Sequence, residues 1–224
     1  MYEFIKGFFA LPQSSDYAFK GGTMAYFLYN LDRFSTDIDI DCLQGLPSLE
    51  FQKEIENLIQ SFGKIKEFQS FRNMYRYIFS YGESDHNIKI EFNERIRKAN
   101  KYETANFFGI PLQVMENSTM FANKLVALVN RPKLATRDLW DIRFFFKNNF
   151  PINTEVIEER TEKNIKNFIQ DLIVFLDTKC NKSIVVDANL GIVLTDQQKR
   201  WAKKYLVSEV RSLLEYTLFE LDRK

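Results

Sequence analysis

The chain has 224 residues, enough for one large domain or two small ones with a sizeable core. Apolar residues make up 45% and charged residues 27%, an ordinary globular balance, and 22 phenylalanines point to an aromatic-rich core. A net charge of +1 excludes polyanion binding by overall charge, so any nucleic-acid site has to be a local basic patch.

Residues 2–10 read as a short apolar helix ending before Pro12, and Tyr17-Ala18-Phe19 as a short strand. Lys20-Gly21-Gly22-Thr23 follows as a glycine turn, where the backbone can bend tightly and approach a ligand closely. Thr23 to Leu31 is uncharged and rich in large apolar groups, which predicts a buried helix whose first N–H groups would face an anion. From Asp37 to Cys42, acidic and apolar residues alternate, so a strand places Asp37, Asp39 and Asp41 on one face. Same-face carboxylates are costly unless a cation neutralises them. A hard divalent ion bound by a few carboxylates and substrate phosphates meets that need, and two carboxylates suffice. Asp41 is therefore read as a surface carboxylate at the strand end.

Leu49 to Phe62 carries Phe51, Ile55, Leu58, Ile59 and Phe62 at helical spacing, and Gly63 ends that helix. Tyr75 to Tyr81 reads as a strand. Asn87 to Asn93 alternates again, with Lys89 and Glu91 on one face and Ile88, Ile90 and Phe92 on the other. The basic run 94–101 is either a solvated loop or a patch beside the site that meets a polyanionic substrate. Strands are expected over 102–108 and 110–115.

Asn117-Ser118-Thr119 offers N-caps to a helix with Phe121, Leu125 and Leu128 on its apolar face, and Lys124 edges that face. Arg131-Pro132-Lys133 breaks the helix, and Arg137-Asp138-Leu139-Trp140-Asp141 opens another with Asp138 and Asp141 as neighbours. Ile157, Thr161, Ile165, Phe168, Leu172 and Phe175 form one helical stripe. Val185 to Leu194 is ambiguous. Thr195 begins a last helix with the stripe Val207, Val210, Leu214, Leu218 and Leu221. Its basic start, Lys199, Arg200, Lys203 and Lys204, is solvated surface or part of an RNA-binding face.

Cys42 and Cys180 make neither a disulfide framework nor a zinc spacing, which predicts a reduced, cytoplasmic protein. No signal peptide is visible at the N-terminus, and the longest uncharged stretch, Thr104 to Met115, is too short to span a bilayer. His86, the single histidine, reads as part of a polar turn and is assigned no role, so a histidine-dependent triad is excluded as the mechanism.

The run from Lys20-Gly21-Gly22-Thr23 through Leu31-Asp32-Arg33-Phe34-Ser35-Thr36-Asp37-Ile38-Asp39 resembles the first motif of the AbiEii/AbiGii toxin-type nucleotidyltransferases, members of the DNA polymerase β-like superfamily. The resemblance spans roughly 17–146. It implies an α+β fold, with a nucleotidyltransferase domain on a mixed sheet over 1–116 and a helical bundle over 117–224 that completes the active-site cleft. Glu91 matches the third acidic residue, Lys124-Leu125-Val126-Ala127-Leu128 a lysine motif, and Arg137-Asp138-x-x-Asp141 a later motif whose leading Asp is replaced here by Leu134 or Ala135.

The implied chemistry is Mg²⁺- or Mn²⁺-dependent transfer from an NTP. Asp37, Asp39 and Glu91 are the metal carboxylates, and Glu91 alternatively accepts the proton of the attacking hydroxyl. Lys20, Gly21, Gly22, Thr23, Lys124 and Asp141 are assigned to the nucleotide. Asp138 either holds Lys124 or positions the acceptor or base. The family implies a toxin with a separate antitoxin protein and with tRNA or other RNA as acceptor. Transfer to a protein hydroxyl, or a non-catalytic NTP- or RNA-binding module, are the alternatives.

Overall fold

The computed structural model describes residues 1–82, 87–94, 97–131, 135–179 and 194–223. His86, Arg95 and Ile96 of the basic run, the break at 132–134, Cys180 and the ambiguous stretch 185–193 lie outside the described residues. The chain divides into two compact units, Met1–Glu116 and Asn117–Lys224.

The first unit begins with α1 (Tyr2–Phe9), a 3₁₀ turn (Pro12–Asp16), β1 (Tyr17–Lys20), α2 (Gly21–Tyr29), β2 (Asp37–Cys42) and α3 (Leu49–Phe62). It continues with β3 (Lys64–Phe71), β4 (Met74–Ser80), β5 (Asn87–Asn93), β6 (Tyr102–Phe107) and β7 (Ile110–Met115). The strands form one mixed seven-stranded sheet in the order β3-β4-β5-β2-β1-β7-β6. β1 runs parallel to β7 and β2 parallel to β5, and the other pairings are antiparallel.

Alternation sorts the side chains by face. Ile38, Ile40, Ile90, Phe92 and Tyr77 are buried on one face, against Phe4, Ile5 and Phe8 of α1 and Phe51, Ile55 and Ile59 of α3. The Phe8 ring lies 5.4 Å from that of Phe92 and 5.9 Å from that of Phe51, so α1 and α3 meet over this face. Each such side chain contributes roughly 1.5–3 kcal/mol by leaving water. The opposite face is polar, and the register aligns its charges in rows. Gln69, Arg76, Glu91, Asp39 and Lys20 are successive cross-strand partners from β3 to β1. The flanking row runs Glu67, Ile78, Lys89 and Asp37.

β3 escapes a pattern reading because it is an edge strand exposed on both faces, with no buried period to detect. Gly63 does end α3, yet at φ 177° it is extended rather than left-handed. Its need for glycine is steric: a β-carbon there would lie 2.2 Å from the Ser80 carbonyl oxygen.

The second unit comprises α4 (Asn117–Asn130), α5 (Thr136–Lys147), α6 (Thr154–Thr161), α7 (Ile165–Lys179) and α8 (Asp196–Asp222). Asn117, Ser118 and Thr119 are already helical, and the buried Thr119 hydroxyl accepts a 3.0 Å bond from Asn153 instead of capping. The expected single stripe from Ile157 to Phe175 is two helices. Glu162, at φ 58°, ends α6 in the left-handed region, and the Asn164 side chain accepts from the Asn167 N–H at 2.9 Å to start α7. Thr195 and Gln198 form a reciprocal capping box on α8, whose buried residues are Ala202, Leu206, Val210 and Leu214, with Leu206 in place of Val207. Arg143 of α5 lies 4.3 Å from the Trp201 ring and donates to Glu209 at 2.7 Å, joining α5 to α8. Among the described residues no helix is long and apolar enough to cross a membrane.

Gly63→Ala is expected to destabilise the protein by about 1–3 kcal/mol, because backbone at Ser80 has to move. Urea denaturation measures this, and a change under about 0.5 kcal/mol contradicts the steric account.

Candidate active site

α2 starts directly from β1, with Gly21 at φ +81°. A β-carbon at Gly21 would lie 2.3 Å from Asp39 Oδ2, so only glycine permits this approach of helix start and carboxylate. A β-carbon at Gly22 would lie 2.8 Å from Arg33 Nη2 and 3.1 Å from Ser35 Oγ, so the Arg33-Phe34-Ser35 segment is laid against the second glycine. Arg33 is buried and donates to the Phe34 carbonyl at 3.0 Å. Thr23 is fully buried, and its hydroxyl donates to the Asp37 carbonyl, clamping α2 to the first residue of β2. Asn30, left-handed at φ 57°, ends α2.

Asp37 and Asp39 of β2 and Glu91 of β5 share the polar face, with Asp39 and Glu91 directly paired across the strands. Lys89 faces Asp37 in the same register, and its Nζ lies 3.1 Å from Asp37 Oδ2 and 3.5 Å from Glu91 Oε1. Arg76 of β4 donates from Nε to Glu91 Oε1 at 2.7 Å and from Nη1 to Gln69 Oε1 at 3.0 Å. Its guanidinium also lies 5.3 Å from the Phe71 ring centroid. Burial pushes the Asp39 carboxyl above the ordinary carboxylate range; Lys20 and Lys89 oppose that shift, and Glu91 and Asp37 reinforce it.

The donor set is all carboxylate oxygen beside a glycine cradle, which fits a hard divalent cation. As the side chains stand, no three acidic, cysteine or histidine groups among the described residues converge closely enough to hold one. Ammonium and guanidinium groups stand among the carboxylates instead.

Asp41 is not the surface carboxylate expected from the pattern. It is 1% exposed, pairs with Lys20 Nζ and accepts from the Tyr102 hydroxyl at 2.9 Å. The arrangement is that of a structural ion pair, and it holds the Lys20 ammonium on Asp41.

In the second unit, Lys124 Nζ lies 3.1 Å from Asp138 Oδ1 and 2.9 Å from Asp141 Oδ2, and both aspartates are fully buried. Arg131 Nε is 2.9 Å from Asp138 Oδ2, close enough for an ion pair but not aligned as a hydrogen bond. Lys124 thus lies between Asp138 and Asp141. Arg76 was invisible to motif reading, since its partner Glu91 lies fifteen residues on and only the β4–β5 register joins them.

Fold and site together define a nucleotidyltransferase-like α+β protein. The model of the family described as "Nucleotidyl transferase AbiEii toxin, Type IV TA system" matches residues 4–204, and the chain belongs to that family; it is a transferase. The fold is shared with a candidate nucleotidyltransferase from H. pylori (TM-score 0.63, 20% identity, 98% of this chain and 94% of that chain). It is shared too with JHP933 from Helicobacter pylori (TM-score 0.55, 19% identity, again 98% and 94%). An antigenic nucleotidyltransferase-like protein from Paracoccidioides brasiliensis aligns at TM-score 0.50 and 15% identity over 80% of this chain and 92% of that chain. At these identities the likeness is one of fold. No curated protein matches the chain by sequence.

Two stability predictions follow from the charges. The raised Asp39 carboxyl favours the proton in the folded state, so its contribution is full below the unfolded value of about 3.9 and is lost as pH rises through the folded value. Asp39→Asn is therefore expected to raise the melting temperature at neutral pH, with the gain shrinking towards about pH 4; a lowered Tm at neutral pH contradicts it. Lys124→Met removes the ammonium shared by two buried carboxylates and is expected to cost about 3–5 kcal/mol in urea denaturation. A loss under about 1 kcal/mol would mean that the cluster is not held by charge.

Proposed function

We propose that the chain transfers a nucleotidyl group from a nucleoside triphosphate to tRNA, as the toxin of a cytoplasmic toxin–antitoxin pair. The observation that carries the reading is the contact between Gly21 and Asp39, which puts the free N–H groups of a helix start beside the acidic row. In this reading the start of α2, from Gly21 to Thr23, receives the phosphates.

A divalent cation, Mg²⁺ or Mn²⁺, held by Asp37, Asp39 and Glu91 would offset phosphate charge during the displacement. The acceptor hydroxyl oxygen forms a bond to the α-phosphorus, the bond from that phosphorus to the bridging oxygen breaks, and pyrophosphate leaves. The proton of the hydroxyl passes to a carboxylate or to solvent. Membership in a type IV toxin–antitoxin family supports a cognate antitoxin as the partner. The acidic row and the glycine cradle support an NTP rather than a neutral ligand.

The test is transfer from each of the four NTPs, radiolabelled at the α-phosphate, to total tRNA with Mg²⁺. Label on tRNA is expected, and Asp39→Asn should reduce it at least about a hundredfold while the protein stays folded. Label appearing only on protein, or an active Asp39→Asn variant, overturns the proposal.

A further inference from the structure

The acidic row is already charge-compensated from within the chain, and besides Lys20, which Asp41 holds, Arg76 and Lys89 do this and differ in how firmly they are held. Arg76 is pinned on three sides, by Glu91 at 2.7 Å, Gln69 at 3.0 Å and the Phe71 ring at 5.3 Å. Lys89 is a point charge on a flexible stem, 31% exposed, bridging Asp37 and Glu91 at 3.1 and 3.5 Å. The register places it there, since Lys89 is the direct partner of Asp37 and lies two residues before Glu91 on the same face. With the side chains so arranged, no acidic group of three among the described residues is tight enough for a metal ion.

We infer that Lys89 is a resident counter-cation that holds the place of the divalent ion, so that metal and nucleotide enter this site together rather than metal first. The inference rests on the metal–nucleotide reading of the acidic row. Without nucleotide, an incoming divalent ion meets the Lys89 ammonium between two of its carboxylates, and the like-charge repulsion at that range is severe. When a triphosphate arrives with the ion, its oxygens give the ammonium a new anionic partner within reach of its stem, and Asp37 and Glu91 are released to the metal. Arg76 stays in place and keeps Glu91 oriented through the exchange. Lys89 is thus a positioning residue that sets the order of binding, and Arg76 is the fixed support.

The experiment is Mn²⁺ binding to the full chain, read from the electron paramagnetic resonance signal of free Mn²⁺. It is run with and without an NTP analogue whose α–β bridge cannot be cleaved, and corrected for Mn²⁺ held by the analogue alone. Native protein is expected to bind Mn²⁺ weakly alone and at least about tenfold tighter with the analogue, an effect lost in Asp39→Asn. Lys89→Met, with Lys89→Gln as a second neutral variant, should bind Mn²⁺ at least about tenfold tighter without nucleotide than native protein does, and Lys89→Arg should behave as native. If the neutral variants bind no tighter than native protein while the analogue still recruits Mn²⁺ through Asp39, the Lys89 inference is wrong and the metal–nucleotide site stands. If native protein binds Mn²⁺ tightly alone, the inference is likewise overturned, and the native arm needs no substitution to show it. If no Mn²⁺ binds even with the analogue, both fall.

Discussion

A carboxylate pressed against the start of a helix is the constraint on which the first unit depends. Asp39 Oδ2 lies where a β-carbon on Gly21 would come within 2.3 Å, so the position has to be glycine and the backbone has to take φ +81°. The rest of the local structure holds these two groups together. Thr23 ties α2 to the carbonyl of Asp37, and Arg33 and Ser35 close against Gly22. The β2–β5 register then sets Glu91 beside Asp39. Burial pushes the Asp39 carboxyl above the ordinary carboxylate range, against Lys20 and Lys89 and with Glu91 and Asp37. A fold organised for stability alone would avoid that arrangement, and concentrating negative charge beside free helix N–H groups is the signature of a ligand site.

The cations distribute themselves over this charge in two different ways. Lys20 is drawn to the buried Asp41, which also accepts from the Tyr102 hydroxyl, and it serves the sheet more than the face. Arg76 and Lys89 serve the face itself. The second unit repeats the theme in a drier setting. There Lys124 lies between two fully buried aspartates of α5, the helix whose Arg143 also sits over the Trp140 ring and over the Trp201 ring of α8. Breaking a buried pair is far more costly than breaking an exposed one, so the Lys124 cluster is expected to be rigid, while the half-exposed Lys89 is able to exchange partners.

Much of this was legible from alternation. The period of two puts Asp37 and Asp39 on one face of their strand and Lys89 and Glu91 on one face of theirs, the β2–β5 register makes these one face, and the helical stripe of Phe121, Leu125 and Leu128 is buried as expected. What alternation could not supply was the identity of partners far away in the chain. Asp41 looks like a surface carboxylate within its own strand because Tyr102, whose hydroxyl donates to it, lies sixty-one residues on. Arg76 carries no sequence signal because only strand register brings it to Glu91. The helix expected through Glu162 fails because the break uses a left-handed glutamate, with neither glycine nor proline to announce it. β3 gave no signal because an edge strand with two exposed faces has no apolar period.

The central claim is that the Gly21–Asp39 junction is where phosphate and metal meet. A crystal structure of the full chain with Mn²⁺ and an NTP analogue tests it most directly, through the anomalous signal of the ion. The account predicts one Mn²⁺ peak within coordination distance of Asp37 and Asp39, with triphosphate oxygens at the first N–H groups of α2. A triphosphate bound elsewhere, or Mn²⁺ away from Asp39, would contradict it.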